Sequence, residues 1–159
     1  MSTVLVVGAG YVGLTTSACL AHLGHEVKCV DIDEEKISQL RQGHVPIHES
    51  GLPELVATAI STQHLQFEVE SRTAAAGSEF VFLCLPTPQG ADGRADIGAV
   101  LSVVHDVREV LPAGSIIVNK STVPVGTNAT IAGATQRDDL FVVSNPEFLR
   151  EGNAVNDFL

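Results

Sequence analysis

The stretch Gly8-Ala9-Gly10-Tyr11-Val12-Gly13 constrains this chain more than any other, because it joins the apolar run Val4-Leu5-Val6-Val7 directly to a helix-like pattern. The apolar run reads as a buried strand, and the glycines read as the turn that leaves it. Each glycine has a separate task in such a turn. Gly8 makes the tight bend, Gly10 lets backbone approach a pyrophosphate, and Gly13 lets the following helix lie close on the strand. The helix opens at Tyr11 and Val12, so the free N–H groups of its first turn and the positive end of its dipole face the phosphates.

A glycine turn alone is a weak signal, since such turns also serve packing. The second strand, Glu26-Val27-Lys28-Cys29-Val30, strengthens it by ending at Asp31, close to the offset of about 20 residues expected for a ribose-binding acid. A carboxylate there accepts hydrogen bonds from both ribose hydroxyls and repels a 2′-phosphate, which favours NAD over NADP. The competing reading of the same residues is a packing turn that binds nothing, with Asp31 capping the next helix.

Downstream, strand and helix patterns alternate. The first helix is expected over Tyr11–Leu23, with Val12, Ala18, Cys19 and Leu23 toward the sheet and Gly24 ending it. Asp33 can cap a second helix that turns Ile37 and Leu40 inward and stops near Gly43. A loop from Gly43 to Leu52 leads to a helix around Pro53–Ile60. Leu65–Val69 alternates as a strand, and Ser71–Gly77 reads as a short helix. Glu79–Leu85 is a continuous apolar run typical of a buried parallel strand, and Pro86-Thr87-Pro88 stops it. After a polar turn at Gln89–Arg94, a helix is expected over Asp96–Leu111, with Ile97, Val100, Val104 and Val107 on one side. Ser115–Asn119 and Phe141–Ser144 read as the last strands, with a further helix start at Pro124–Thr127. This alternation predicts an α/β fold: a Rossmann-type, doubly wound, mainly parallel sheet of about six strands with helices on both faces, forming one domain over residues 1–159. In such a sheet the ligand crevice lies at the carboxyl ends of the strands, so Leu85 and Thr87 should border the dinucleotide, and Ser121 and Thr122 put two hydroxyls beside it.

Composition limits the partners. A hydrophobic share of 45% over 159 residues supports a real core, and a formal net charge of −10 disfavours nucleic acid or an anionic membrane. An anionic ligand must then be held by local devices such as helix termini. No apolar run approaches membrane-spanning length, and the apolar N-terminus lacks the basic flank of a signal peptide. Cys19, Cys29 and Cys84 show no CxxC spacing and read as buried thiols in a reducing cytoplasm. His44 and His48 have helical metal spacing, but Pro46 between them argues for a loop, so no metal is expected.

The glycine turn, Val30-Asp31-Ile32-Asp33, Lys120-Ser121-Thr122-Val123-Pro124-Val125-Gly126-Thr127 and Ser144-Asn145-Pro146-Glu147-Phe148-Leu149-Arg150-Glu151-Gly152 together resemble the UDP-glucose/GDP-mannose dehydrogenase family. The resemblance covers the whole chain and is to the family's N-terminal, NAD-binding part. Members continue into a long central helix and a second nucleotide-sugar domain. They oxidise a sugar C6 alcohol to a carboxylate with two NAD molecules, by hydride transfer, a cysteine thioester and its hydrolysis. The forms Ser121-Thr122-Val123-Pro124-Val125 and Pro146-Glu147-Phe148-Leu149 point to UDP-glucose as substrate, with GDP-mannose second.

By that resemblance Thr122 would position the catalytic water or general base. Glu147 would contact substrate and assist proton transfer and thioester hydrolysis, with Phe148, Leu149 and Arg150 beside it on the substrate side. Lys36, Thr87, Ser121 and Glu151 would touch NAD. The family's nucleophilic cysteine and its helpers lie beyond Leu159, and no cysteine here sits in a matching motif. The resemblance therefore implies NAD binding without completed oxidation by this chain, and a homodimer for the full-length protein. Pro86 is a departure, since many relatives have glycine or asparagine there. A regulatory NAD-sensing domain shares the first strand, turn and acid; the crevice motifs at Ser121-Thr122 and Pro146-Glu147 distinguish the two.

Overall fold

In the computed structural model, which describes residues 1–91 and 93–159, the elements follow the expected alternation. They are β1 (Thr3–Val7), α1 (Tyr11–His22), β2 (Glu26–Val30), α2 (Glu34–Arg41), α3 (Leu52–Ser61), β3 (Leu65–Glu68), α4 (Ser71–Ala75), β4 (Phe80–Leu83), α5 (Gly98–Val107), β5 (Ile116–Asn119), α6 (Thr127–Thr135), β6 (Phe141–Ser144) and α7 (Ala154–Phe158). Asp92, within the expected polar turn, lies outside the described residues.

The six strands form one sheet in the order β3-β2-β1-β4-β5-β6, and every pairing is parallel. Successive side chains of a strand point to opposite faces, so a strand covered on both faces must be apolar throughout. β1 satisfies this at the centre. Val4 and Val6 pack into a cluster with α1, α2 and α3, while Leu5 and Val7 pack into a second cluster with α4, α5 and α6. Leu5, at 0% exposure, alone contributes about 1.5–3 kcal/mol of burial. The chain moves to the second half of the sheet after β3, so β1 and β4 lie side by side with their connections on opposite faces. Their carboxyl ends open the crevice of a doubly wound fold.

Several boundaries differ from the sequence expectation, and one element is new. α1 ends at His22, and Leu23 is 57% exposed rather than sheet-facing, because the chain is already turning toward Gly24 at φ +89°. β4 stops at Leu83, so Cys84 and Leu85 leave the ladder before Pro86, though Cys84 N–H still donates to Val7 O. α5 begins at Gly98, whose N–H donates to Asp96 Oδ1, a side-chain turn that keeps Asp96 outside the helix. α7 had no counterpart in the sequence reading. The 43–51 loop is as expected, and no helix among the described residues is long and apolar enough to cross a membrane.

Candidate functional site

A crevice of about 770 Å³ opens at the carboxyl ends of β1, β2, β4 and β5, within the usual range of about 300–1,000 Å³ for small-molecule sites. The glycine turn forms its floor. Gly8, at φ +102°, occupies a conformation that disfavours side chains, and a Cβ there would overlap the Cys84 carbonyl. A Cβ on Gly13 would overlap the Gly8 carbonyl oxygen, so Gly13 is required for α1 to approach the turn. Gly10 is different: a Cβ would meet nothing within 4 Å. The fold leaves that space open in front of the α1 N-terminus, where a pyrophosphate would need it.

Asp31 closes the β2 side. Its Oδ2 accepts from Ala9 N–H at 2.9 Å and Lys36 Nζ at 3.0 Å, and its Oδ1 accepts from Asp33 N–H at 3.0 Å. Burial alone would raise its pKa, but the N–H donors of Asp33 and Ala9 and the Lys36 ammonium outweigh it and hold the carboxyl below its ordinary value. Asp31 thus braces the glycine turn and remains a charged acceptor. The reading in which Asp31 caps α2 does not hold, because Asp33 is the cap: its side chain accepts from Lys36 N–H.

The opposite wall comes from the loops after β4, β5 and β6, which are stitched together by side chains. Ser121 Oγ donates to Leu85 O at 2.7 Å, and Thr87 Oγ1 donates to Thr122 O at 2.9 Å. Leu85, Thr87, Ser121, Thr122 and Glu147 all line the crevice. Glu147 Oε2 also accepts from Leu149 N–H at 2.7 Å, which shapes its own turn. Lys120, only 7% exposed, lines the same wall and donates to Asn145 Oδ1 at 3.0 Å. Both acceptors that Asn145 offers this buried cation, its carbonyl and its side-chain oxygen, are neutral.

Of the residues expected at the site, Gly8, Gly10, Tyr11, Val12, Asp31 and Lys36 also line the crevice, whereas Gly13 packs beneath it. Phe148, Leu149, Arg150 and Glu151 lie outside the lining. Phe148 is 87% exposed, and the Arg150 guanidinium is engaged by Asp157, with Nε to Oδ2 at 2.9 Å and Nη2 to Oδ1 at 2.6 Å. Sequence reasoning missed Lys120, Glu49 and one face of α5. Ala99, Ser102, Val103 and Asp106 line the crevice at helical spacing. That second stripe, offset by one residue from Val100, Val104 and Val107, is legible in the sequence.

Burial raises the thiols of Cys19 to about 11 and of Cys29 and Cys84 to about 12; Lys120 opposes the shift at Cys84. Among the described residues no group of three or more metal-ligating side chains forms.

Residues 2–159 match the UDP-glucose/GDP-mannose dehydrogenase family, NAD binding domain. The chain belongs to this family. As its NAD-binding domain, the chain presents a turn that fits the cofactor: Gly10 is open where a phosphate must approach, and Asp31 stands at the end of β2. The chain is 44% identical over 160 residues to the UDP-glucose 6-dehydrogenase of Rhizobium meliloti, covering 98% of this chain and 37% of that protein. A UDP-glucose dehydrogenase structure from Pyrobaculum islandicum superposes with a TM-score of 0.91 at 36% identity, over 99% of this chain and 38% of that one. A GDP-mannose dehydrogenase ternary complex from Pseudomonas aeruginosa gives 0.87 at 32% identity, over 98% and 38%. The chain therefore spans little more than a third of the length of these relatives.

Proposed function

We propose that this chain supplies the cofactor half of a UDP-glucose 6-dehydrogenase. The observation that carries the reading is the crevice between β1 and β4, with Gly10 open on its floor, Asp31 at one end and Thr122 with Glu147 at the other. When bound, NAD supplies the hydride acceptor. The α1 N–H groups would hold its pyrophosphate, and Asp31 would accept from the ribose hydroxyls while disfavouring a 2′-phosphate.

At the far end the Thr122 hydroxyl orients a water or the substrate hydroxyl, and the Glu147 carboxylate takes and returns a proton there. Ser121 and Thr87 hold the two loops at a fixed separation through their bonds to Leu85 O and Thr122 O. A sensor domain needs the glycine turn and the acid but has no chemical use for Thr122 and Glu147 in one crevice, which favours an enzyme. The 44% identity to a UDP-glucose 6-dehydrogenase favours UDP-glucose over GDP-mannose.

The chain itself does not complete the oxidation. A thioester needs a thiolate, and thiols raised to about 11 or about 12 are protonated at neutral pH. Calorimetry on residues 1–159 should show NADH binding more tightly than NADPH, and incubation with UDP-glucose and NAD should yield no NADH. Equal affinities would refute the role of Asp31, and turnover would refute the division of labour.

A further inference from the structure

Glu49 is buried at 5% exposure, and among the described residues it has no cationic partner. It sits in the loop before α3, outside the sequence of every motif the cofactor reading uses. Its carboxylate nevertheless accepts three hydrogen bonds. Oε2 accepts from the Tyr11 hydroxyl at 2.5 Å and Gly152 N–H at 2.7 Å, and Oε1 accepts from Ala154 N–H at 2.9 Å. Tyr11 is the first residue of α1 after the glycine turn and lines the crevice. Gly152 and Ala154 belong to the segment that follows β6.

The sheet order makes this junction informative. β6 stands three strands from β1, a separation of about 14 Å at the usual strand spacing. The chain after β6 must therefore return across the carboxyl ends of β5 and β4 to reach Tyr11, and on the way it carries Glu147 into the crevice wall. The Tyr11 hydroxyl also lies 3.3 Å from Arg150 O, a second contact to the same returning segment. At the far end Val155 packs into the α1 cluster.

We infer that Glu49 is a positioning residue: its carboxylate clamps the returning segment 145–155 onto Tyr11, and so sets together the Tyr11 wall of the cofactor crevice and the placement of Glu147. The inference rests on the crevice being the NAD site. A carboxylate suits this clamp because it offers only acceptors to three converging donors, whereas an amide would turn an NH₂ group toward at least one of them.

The test compares residues 1–159 as wild type, Glu49→Gln, Tyr11→Phe and the double variant, with NADH titration and amide exchange on each. Glu49→Gln should bind NADH about tenfold more weakly. The double variant should bind no more weakly than Glu49→Gln, because the two changes break one link. Exchange at Gly152 and Ala154 should quicken, while Val6 and Leu83 amides in the sheet stay protected. Unchanged NADH affinity in Glu49→Gln overturns the inference, and so does a loss of affinity accompanied by faster exchange throughout the sheet, which would mark a purely structural residue. Failure of the wild type to bind NADH refutes the cofactor reading instead. In that case unchanged exchange at Gly152 and Ala154 in Glu49→Gln overturns the clamp, and selective quickening there sustains it.

Discussion

Replacing Gly10 and Gly13 separately by alanine should split folding from binding within one motif. At Gly13 the added methyl overlaps the Gly8 carbonyl oxygen, a backbone atom that cannot rotate away. Either α1 lifts from β1 or the turn distorts, and overpacking of this kind costs about 3 kcal/mol. With a urea m-value of about 2 kcal/mol/M for a domain of this size, the unfolding midpoint should fall by about 1.5 M.

At Gly10 the methyl meets nothing within 4 Å, and the residue's φ of −80° and ψ of −169° are open to alanine. Two small terms oppose each other there. Alanine restricts the unfolded chain, a gain of about 0.4–1 kcal/mol, but it is a poorer helix N-cap than glycine by a similar amount. The midpoint of Gly10→Ala should therefore move by less than about 0.3 M. Its NADH affinity should fall by about 10-fold to 100-fold, because the methyl stands where the pyrophosphate approaches. Urea unfolding followed by circular dichroism reads the first quantity, and fluorescence titration with NADH reads the second. If Gly10→Ala loses as much stability as Gly13→Ala, or binds NADH like the wild type, the assignment of separate tasks to the two glycines is wrong.

Two further predictions concern ionisable groups. Tyr11 is the single tyrosine and the chain has no tryptophan, so phenolate absorbance reports on it alone. Burial first, then its bond to Glu49, raises Tyr11 from the ordinary value near 10 to about 12; the neutral phenol thus stabilises the fold below pH 10, and that contribution is lost as pH rises toward 12. The titration should show the raised value, and Glu49→Gln should move it back toward 10; an ordinary midpoint in the wild type would contradict the hydrogen-bonded geometry. For the thiols, the structure buries Cys19 and Cys29, but Cys84, expected to be buried too, is only half-buried and lines the crevice, because it has left the β4 ladder; iodoacetamide at neutral pH should label Cys19 and Cys29 slowly in the native chain and readily in urea, and mass spectrometry showing rapid native labelling at either would refute their burial.

Much of the fold was legible in the sequence because the deciding signals are local. Val4–Val7 must be covered on both faces, and a central strand of a three-layered α/β/α sheet provides that. The turn glycines, the cap at Asp33 and the proline stop after Leu85 act within a few residues of themselves. What escaped depends on distance along the chain. α7 is a helix of five residues whose N-terminal amides, at Gly152 and Ala154, are satisfied by Glu49, more than a hundred positions earlier. No window of sequence contains both partners. Arg150 looked available to a ligand for the same reason: the alternative partner, Asp157, becomes its neighbour only when α7 forms. Lys120 lay inside a motif that had been singled out, yet its burial follows from Asn145 on the adjacent loop.

The charge balance bears on how so acidic a chain would hold the pyrophosphate of the proposed site. At a net charge of −10 the long-range field opposes an approaching dinucleotide, but at about 0.15 M ionic strength exposed charges are screened beyond roughly 8 Å. Contact terms then decide the affinity, and near the crevice several acids are already engaged. Asp31 is met by Lys36 and two backbone N–H groups, and Glu49 by Tyr11 and two more. The amides at the α1 N-terminus face the open space at Gly10 with no carboxylate in the first turn of the helix to compete for them. This differs from α2, where Glu34 and Glu35 occupy the positive end of the dipole. The same chain places acids at the N-terminus of α2 and none in the first turn of α1, the helix proposed to receive phosphate, so on that proposal the selectivity of the site for an anion is built at the level of single turns rather than of net charge.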